Sequence, residues 1–158
     1  MAIDTGFNLL TADISSKLNE VGLAPYADRL VVVGGAAMAA YGIDSRDDHP
    51  FFDVDVVTER SVLDELRADE RWEPKSEYSD DGLTAGLVDA MSMPVDSSYK
   101  VDGEKLIGER VTPAGIVYGF SPLARILDWK LALVISPTYK GDGSKHLRHA
   151  KLIAEHLL

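Results

Sequence analysis

Two carboxylates one residue apart, Asp53 and Asp55, interrupt the otherwise apolar run Phe52-Asp53-Val54-Asp55-Val56-Val57. Side chains alternate along an extended chain, so the two aspartates point the same way, roughly 6–7 Å apart along the strand. Phe52, Val54 and Val56 fill the opposite face. Like charges in so apolar a strand repel each other and lose hydration unless a cation joins them. A hard, oxygen-seeking ion such as Mg²⁺ (or Mn²⁺) suits such a pair, with phosphate oxygens and waters completing its shell. Two aspartates at a strand end facing water need no ion, and the pair by itself leaves both readings open.

A second pattern lies upstream. Val31-Val32-Val33-Gly34-Gly35-Ala36-Ala37-Met38-Ala39-Ala40 reads as a buried strand that enters a helix through a glycine pair. Glycine lets backbone approach a ligand because no Cβ intervenes. The free N–H groups of the next helix then face a phosphate, aided by the helix dipole. The same glycines equally let an alanine-rich helix pack close against a sheet. Farther on, Lys130 sits among Leu127, Trp129, Leu131, Ala132 and Leu133, where water is scarce. A lysine there calls for an anion, and a triphosphate would serve; a salt bridge, or a stem that reaches the surface, is the plainer alternative.

Other chemistry-bearing residues carry less. His146, His149 and His156 share one side of a C-terminal helix, and with no carboxylate to complete a zinc set a solvated face accounts for them. His49 precedes Pro50 in a loop, and Ser97-Ser98 has no histidine or acid arranged as a hydrolase triad. Trp72 and Trp129 read as packing residues.

The elements that must position these groups follow from periodicity and punctuation. Phe7, Leu10, Ile14, Leu18 and Val21 form an amphipathic helix stripe. Residues 30–33 are a short β-branched strand buried on both sides, and 35–41 a helix ending at Gly42. Residues 43–50 form a charged loop and 51–58 the second strand, and Ser61 caps a helix with Val62, Leu63 and Leu66 as its contacts. Residues 83–91 read as a short helix and 94–101 as a strand, with turns at Asp80-Asp81-Gly82 and Asp102-Gly103. Residues 115–120 make a further strand. Ser121-Pro122 then opens a helix over 123–135, apolar on nearly every side and therefore expected at the centre of the packing. Ser144 caps a last helix whose stripe is Leu147, Ala150, Ile153, Ala154 and Leu157. Strands alternating with helices predict one α+β domain (α/β-like) over residues 1–158.

Composition narrows the function classes. A chain of 158 residues, 46% hydrophobic and 27% charged, can bury the core of one folded domain. It lacks an apolar run of membrane-spanning length and a secretory signal pattern, so a cytoplasmic location without membrane contact is expected. Without cysteine there is no disulfide, thiolate zinc site or thiol nucleophile. A net charge of −10 argues against extended duplex nucleic acid as partner, although Lys140, Lys145, Arg148 and Lys151 could form a local basic patch.

Taken together, Val33-Gly34-Gly35-Ala36-Ala37, Tyr41-Gly42 and Asp53-Val54-Asp55-Val56-Val57 resemble the nucleotidyltransferase superfamily with the DNA polymerase β-type palm. The resemblance is to the small bacterial branch of AbiEii-type toxins and minimal nucleotidyltransferases, and Asp128-Trp129-Lys130-Leu131-Ala132-Leu133 is similar to a downstream helix of that family. It covers residues 30–58 well and 121–158 loosely. It implies a palm with a small mixed sheet flanked by helices, the C-terminal helices of residues 121–158 packed on it. Gly34 and Gly35 would hold a nucleoside triphosphate, Lys130 would neutralise its phosphates, and Asp53 and Asp55 would bind the metal ions. A third acid is best matched by Asp96 in Met93-Pro94-Val95-Asp96-Ser97, with Asp89 as competitor in surroundings that read helically. The pattern departs where relatives carry Arg-x-Thr before the aspartates: here Arg46 lies seven residues before Asp53, and Phe51 replaces the threonine. Near the C-terminus, Lys145, His146 and His149 stand where relatives show a lysine followed by aspartates. The implied activity is metal-dependent transfer of a nucleoside monophosphate from an NTP to a hydroxyl of a small molecule, protein or RNA end, with toxin–antitoxin or phage-defence roles and a protein partner among the family's uses. The alternative is an inactive member that binds a nucleotide or a protein.

Overall fold

The computed structural model describes residues 10–44, 53–75, 82–92, 110–135 and 143–158. Asp96 lies outside them, as do Phe7, Arg46, His49, Phe51, Phe52, Asp80, Asp81, Ser97, Ser98, Lys140, the 94–101 strand and the Asp102-Gly103 turn.

Helix α1 (Leu10–Glu20) buries Ile14 and Leu18, as its stripe predicts. A 3₁₀ turn, Ala24–Arg29, leads into β1 (Leu30–Val33), every residue of which is buried. α2 (Gly34–Ala40) follows directly and ends at Gly42, whose φ of +90° is the left-handed conformation expected there. β2 (Val54–Thr58) pairs antiparallel with β1, placing Val33 opposite Asp55. α3 (Arg60–Arg67) starts two residues earlier than a Ser61 cap suggests. Glu59 precedes it without a side-chain cap, and the Ser61 hydroxyl instead accepts a hydrogen bond from Arg29. Arg29 also pairs with Glu59 at 2.9 Å, clamping the end of the β1–β2 pair far from Asp55.

The helix expected over 83–91 is a β-hairpin. β4 (Gly82–Ala85) and β5 (Val88–Met91) pair antiparallel around Gly86-Leu87, with Gly86 at φ +59°. A two-residue turn opening on a positive-φ glycine matches the strands' twist. β3 (Glu73–Pro74) adds to β4, and β6 (Gly119–Phe120), shorter than predicted, runs parallel to β1. The described strands form one mixed sheet in the order β3-β4-β5-β2-β1-β6, with β5 parallel to β2. The fold is α+β.

Alternation sorts the two faces. Leu30, Val32, Val54, Val56, Leu83, Ala85, Val88, Ala90 and Phe120 point into the main core with α1, α2 and α3. Val31, Val33, Val57 and Met91 form a smaller apolar cluster on the other face, with Trp129 packed against it. Trp129 belongs to α4 (Leu123–Ile135), which packs on α5 (Gly143–Leu157). α4 is not the central element its composition predicts: Leu123, Ile126 and Lys130 are buried, but Leu131 and Ile135 are exposed. In α5 the buried stripe is His146, His149, Ala150 and Ile153, while Leu147, Ala154 and Leu157 face outward. The histidine face expected to be solvated is therefore the packed one, apart from the exposed His156. Among the described residues, no helix is long and apolar enough to cross a membrane.

Candidate functional site

The first helical residue after β1 has to be glycine for two reasons. Gly34 adopts φ +67°, a region that costs an L-residue about 1–2 kcal/mol. A Cβ at this position would also stand 2.9 Å from the Asp55 Oδ2. The antiparallel register explains the contact, because it sets Asp55 opposite Val33 at the point where β1 becomes α2. Gly35 is partly exposed on the same turn.

Asp55 has a second carboxylate neighbour. β2 and β5 run parallel with Asp55 paired to Asp89, and paired residues on adjacent strands project to one face about 5 Å apart. Asp89 is almost fully buried, and the Lys75 ammonium donates to its Oδ2 at 2.6 Å. Lys75 follows β3 and is held there by its own N–H, which donates to the Gly82 carbonyl at 3.0 Å. Asp53, exposed, sits just ahead of β2.

This crowding of charge marks Asp55. Its pKa is pushed from 3.8 up to about 7, first by burial and then by repulsion from Asp89; Lys75 pulls the other way, Asp53 adds to the rise, and Lys130 opposes it. Lys130 faces the complementary problem. Burial depresses it to about 8, Lys145 adds to the fall, and Asp55 counters it. Its Nζ lies 3.1 Å from His146 Nδ1, so an ammonium there donates to the ring nitrogen and leaves the proton of a neutral imidazole on Nε2. The His149 ring meets that of His146 edge to face, and neither of its nitrogens has a hydrogen-bond partner among the described residues. Burial, then the nearby Lys130, Arg148 and Lys145 charges and His146, lower the His149 pKa to about 4, which keeps the ring neutral at pH 7.

The arrangement thus gathers Gly34, Gly35, Asp53, Asp55 and Lys130, and adds three groups whose placement the sequence reading did not anticipate. Asp89 was weighed as a competitor on a helix and is a strand residue beside Asp55. Lys75 carries no signal in the sequence, and the histidine face reads there as solvated. The local cue to the hairpin is Gly86 in a two-residue turn between Leu83-Thr84-Ala85 and Val88-Asp89-Ala90, a cue too short to separate strand from helix. Chemically, the site sets a carboxylate pair at the mouth of a glycine-led helix, with cationic nitrogen on two sides.

No family model matches the chain, and no curated protein sequence does. Among solved structures, the chain is similar to the nucleotidyltransferase ANT(2'')-Ia in complex with adenylyl-2''-tobramycin, at 16% identity and a TM-score of 0.51, over 93% of this chain and 90% of that one. A solution structure of the antibiotic-resistance factor ANT(2'')-Ia, described as revealing substrate-regulated conformation dynamics, is similar at 18% identity and a TM-score of 0.49, over 94% and 83%. The first likeness supports a nucleotidyltransferase fold for this chain.

Proposed function

We propose that this chain is a metal-dependent nucleotidyltransferase that moves a nucleoside monophosphate from an NTP to a hydroxyl of a small acceptor. The observation that carries the reading is the in-register Asp55–Asp89 pair against the bare Cα of Gly34. Two adjacent carboxylates, one of them resisting ionisation, suit a hard dication. Among the described residues no group of three His, Cys, Asp or Glu could hold a metal ion by itself. That accords with Mg²⁺, which takes one or two carboxylates and completes its octahedron with waters and substrate phosphates.

In this reading Asp55 and Asp89 hold the ion, with Asp53 at the rim, and Asp89 takes the third-acid role that the sequence resemblance assigned to Asp96. When bound, the ion would lower the pKa of the attacking hydroxyl and offset charge on the leaving pyrophosphate. The chain's own groups do the rest. Gly34 leaves open the space beside the Asp55 Oδ2 that any side chain would fill. The N–H groups at Gly34 and Gly35 receive phosphate oxygens, and Lys130, steadied by His146, meets the remaining negative charge.

The acceptor follows from charge and analogy. A protein of net charge −10 with an exposed aspartate at the site attracts a small cationic polyol more readily than an RNA. The adenylylated tobramycin bound to ANT(2'')-Ia is of that chemical class. The finer kinship with the AbiEii-type branch, its toxin–antitoxin or phage-defence role and its protein partner rest on the glycine-pair and Asp-x-Asp motifs alone. A single cytoplasmic domain over residues 1–158 rests instead on length, composition and the alternation of strands with helices.

The test is transfer from each α-labelled NTP with Mg²⁺ or Mn²⁺ to a panel of aminoglycosides, tRNA and cell protein, comparing wild type with Asp55→Asn and Asp89→Asn. Metal-dependent transfer lost in both variants supports the assignment; transfer that survives both substitutions overturns it. A second reading, a non-catalytic nucleotide-binding protein, is favoured by one observation: an ammonium already occupies Asp89 where a cation would sit. Calorimetric NTP binding without turnover on any acceptor would favour it.

A further inference from the structure

Lys75 has no part in the family pattern, and its pairing with Asp89 is unusual for a structural salt bridge. Arg67–Asp64 and Arg71–Asp69 join side chains that are each at least about a third exposed. Lys75–Asp89 instead joins a side chain 22% exposed to one 5% exposed, at 2.6 Å. It does so on the sheet face that carries Asp55. The lysine backbone is tied to Gly82 on β4, which pairs with Met91 of β5, two residues beyond Asp89. The sheet thus delivers an ammonium to a carboxylate that would otherwise be buried beside a second one.

We infer that Lys75 is an internal counter-ion, which holds Asp89 in the cation-free protein and must release it when a divalent cation binds between Asp55 and Asp89. This rests on the metal site of the proposed function and goes beyond it. The physical reason is exclusion by charge. A carboxylate has enough lone pairs for two partners, but an ammonium and a dication on one buried carboxylate repel each other at close range. Binding the dication therefore requires breaking a buried, charge-assisted hydrogen bond, and the affinity is lowered by that amount. In exchange, the cation-free protein avoids leaving the buried Asp89 carboxylate unpaired beside Asp55. Lys75 so tunes the site for release of the ion, and discourages occupation by trace metal in the absence of nucleotide.

The experiment uses the full chain and Mn²⁺ as probe, with affinity read by electron paramagnetic resonance of free Mn²⁺ and stability by thermal melting. Lys75→Met and Lys75→Gln are compared with wild type and with the charge-preserving Lys75→Arg. The expected result is about tenfold tighter Mn²⁺ binding in the Met and Gln variants and near-wild-type affinity in Lys75→Arg. Both neutral variants melt below wild type in EDTA, and that deficit closes or reverses in saturating Mn²⁺. A deficit of equal size with and without Mn²⁺, at unchanged affinity, would mean a merely structural bridge and overturns the inference. Weaker Mn²⁺ binding in the neutral variants overturns it as well, since Lys75 would then be supporting the site. If neither wild type nor any variant binds Mn²⁺, the inference falls together with the metal dependence of the proposed function, whereas the first two outcomes leave that function standing.

Discussion

Replacing Asp55 by Asn should stabilise the metal-free protein while removing its cation site. The pKa of Asp55 rises from 3.8 to about 7 on folding, so the folded state holds a proton that the unfolded state has already lost. A group raised in this way contributes stability below its unfolded pKa, and that contribution is lost as pH climbs through the folded value. At ~1.4 kcal/mol per pH unit, the ionised side chain costs at most ~4 kcal/mol above pH 7. Water reaching the partly exposed side chain, and adjustment of Lys75 and Lys130, lower this to ~1–2 kcal/mol. Asparagine keeps the shape without the charge. In EDTA at pH 8, Asp55→Asn should melt about 2–8 °C above wild type for a chain of this size. Its advantage should shrink steadily as pH falls from 7 toward 4. Adding Mg²⁺ should raise the melting temperature of wild type but not of the variant. The assay is differential scanning calorimetry across that pH range, with and without the ion. A variant less stable than wild type at pH 8 in EDTA, or an advantage that does not vary with pH, would refute the electrostatic account of Asp55.

Further expectations follow from neighbouring residues. Gly34→Ala forces a side chain into φ +67° and against the Asp55 Oδ2; urea unfolding should show a loss of ~2–4 kcal/mol, and Mg²⁺ should no longer protect. Lys130, lowered to about 8, has a folded pKa below its unfolded one, so its charge destabilises the protein below pH 8 and that penalty fades toward pH 10.5. Lys130→Met should therefore raise stability at pH 7 while weakening NTP binding at least tenfold by calorimetry, and wild-type NTP affinity should fall between pH 7.5 and 9. His149→Leu removes two buried nitrogens that lack partners among the described residues and should cost less than ~1 kcal/mol or stabilise. Because the His149 pKa falls to about 4 on folding, this variant should also lose less stability than wild type as pH drops from 6.5 to 4.

How much of the site was legible depended on the range of the forces that build it. The unit from β1 through α2 to β2 could be read directly, because each part rests on local chemistry. Four β-branched or leucine residues make a buried strand, a glycine provides the positive φ, and strand alternation alone sets Asp55 among valines pointing the other way. The lysine in an apolar helix was equally visible as a residue in need of a partner, though not which partner it meets.

The partner of Asp55 was a different matter. Leu83-Thr84-Ala85-Gly86-Leu87-Val88-Asp89-Ala90-Met91 contains residues that suit helix and strand alike, and short apolar runs do not distinguish the two. Pairing with β2, more than thirty positions earlier in the chain, decides that Val88–Met91 is extended, and the register of that pairing puts Asp89 beside Asp55. Likewise, histidine is neither clearly apolar nor clearly polar, so only the packing of α5 on α4 decides that His146 and His149 turn inward to Lys130 rather than out to water. Sequence by itself determined that a carboxylate strand follows a glycine-led helix, because backbone conformation and side-chain alternation act over a few residues. Tertiary structure alone decided which acid, which lysine and which histidines join them, because strand register and helix packing are settled by contacts between segments that the sequence keeps far apart.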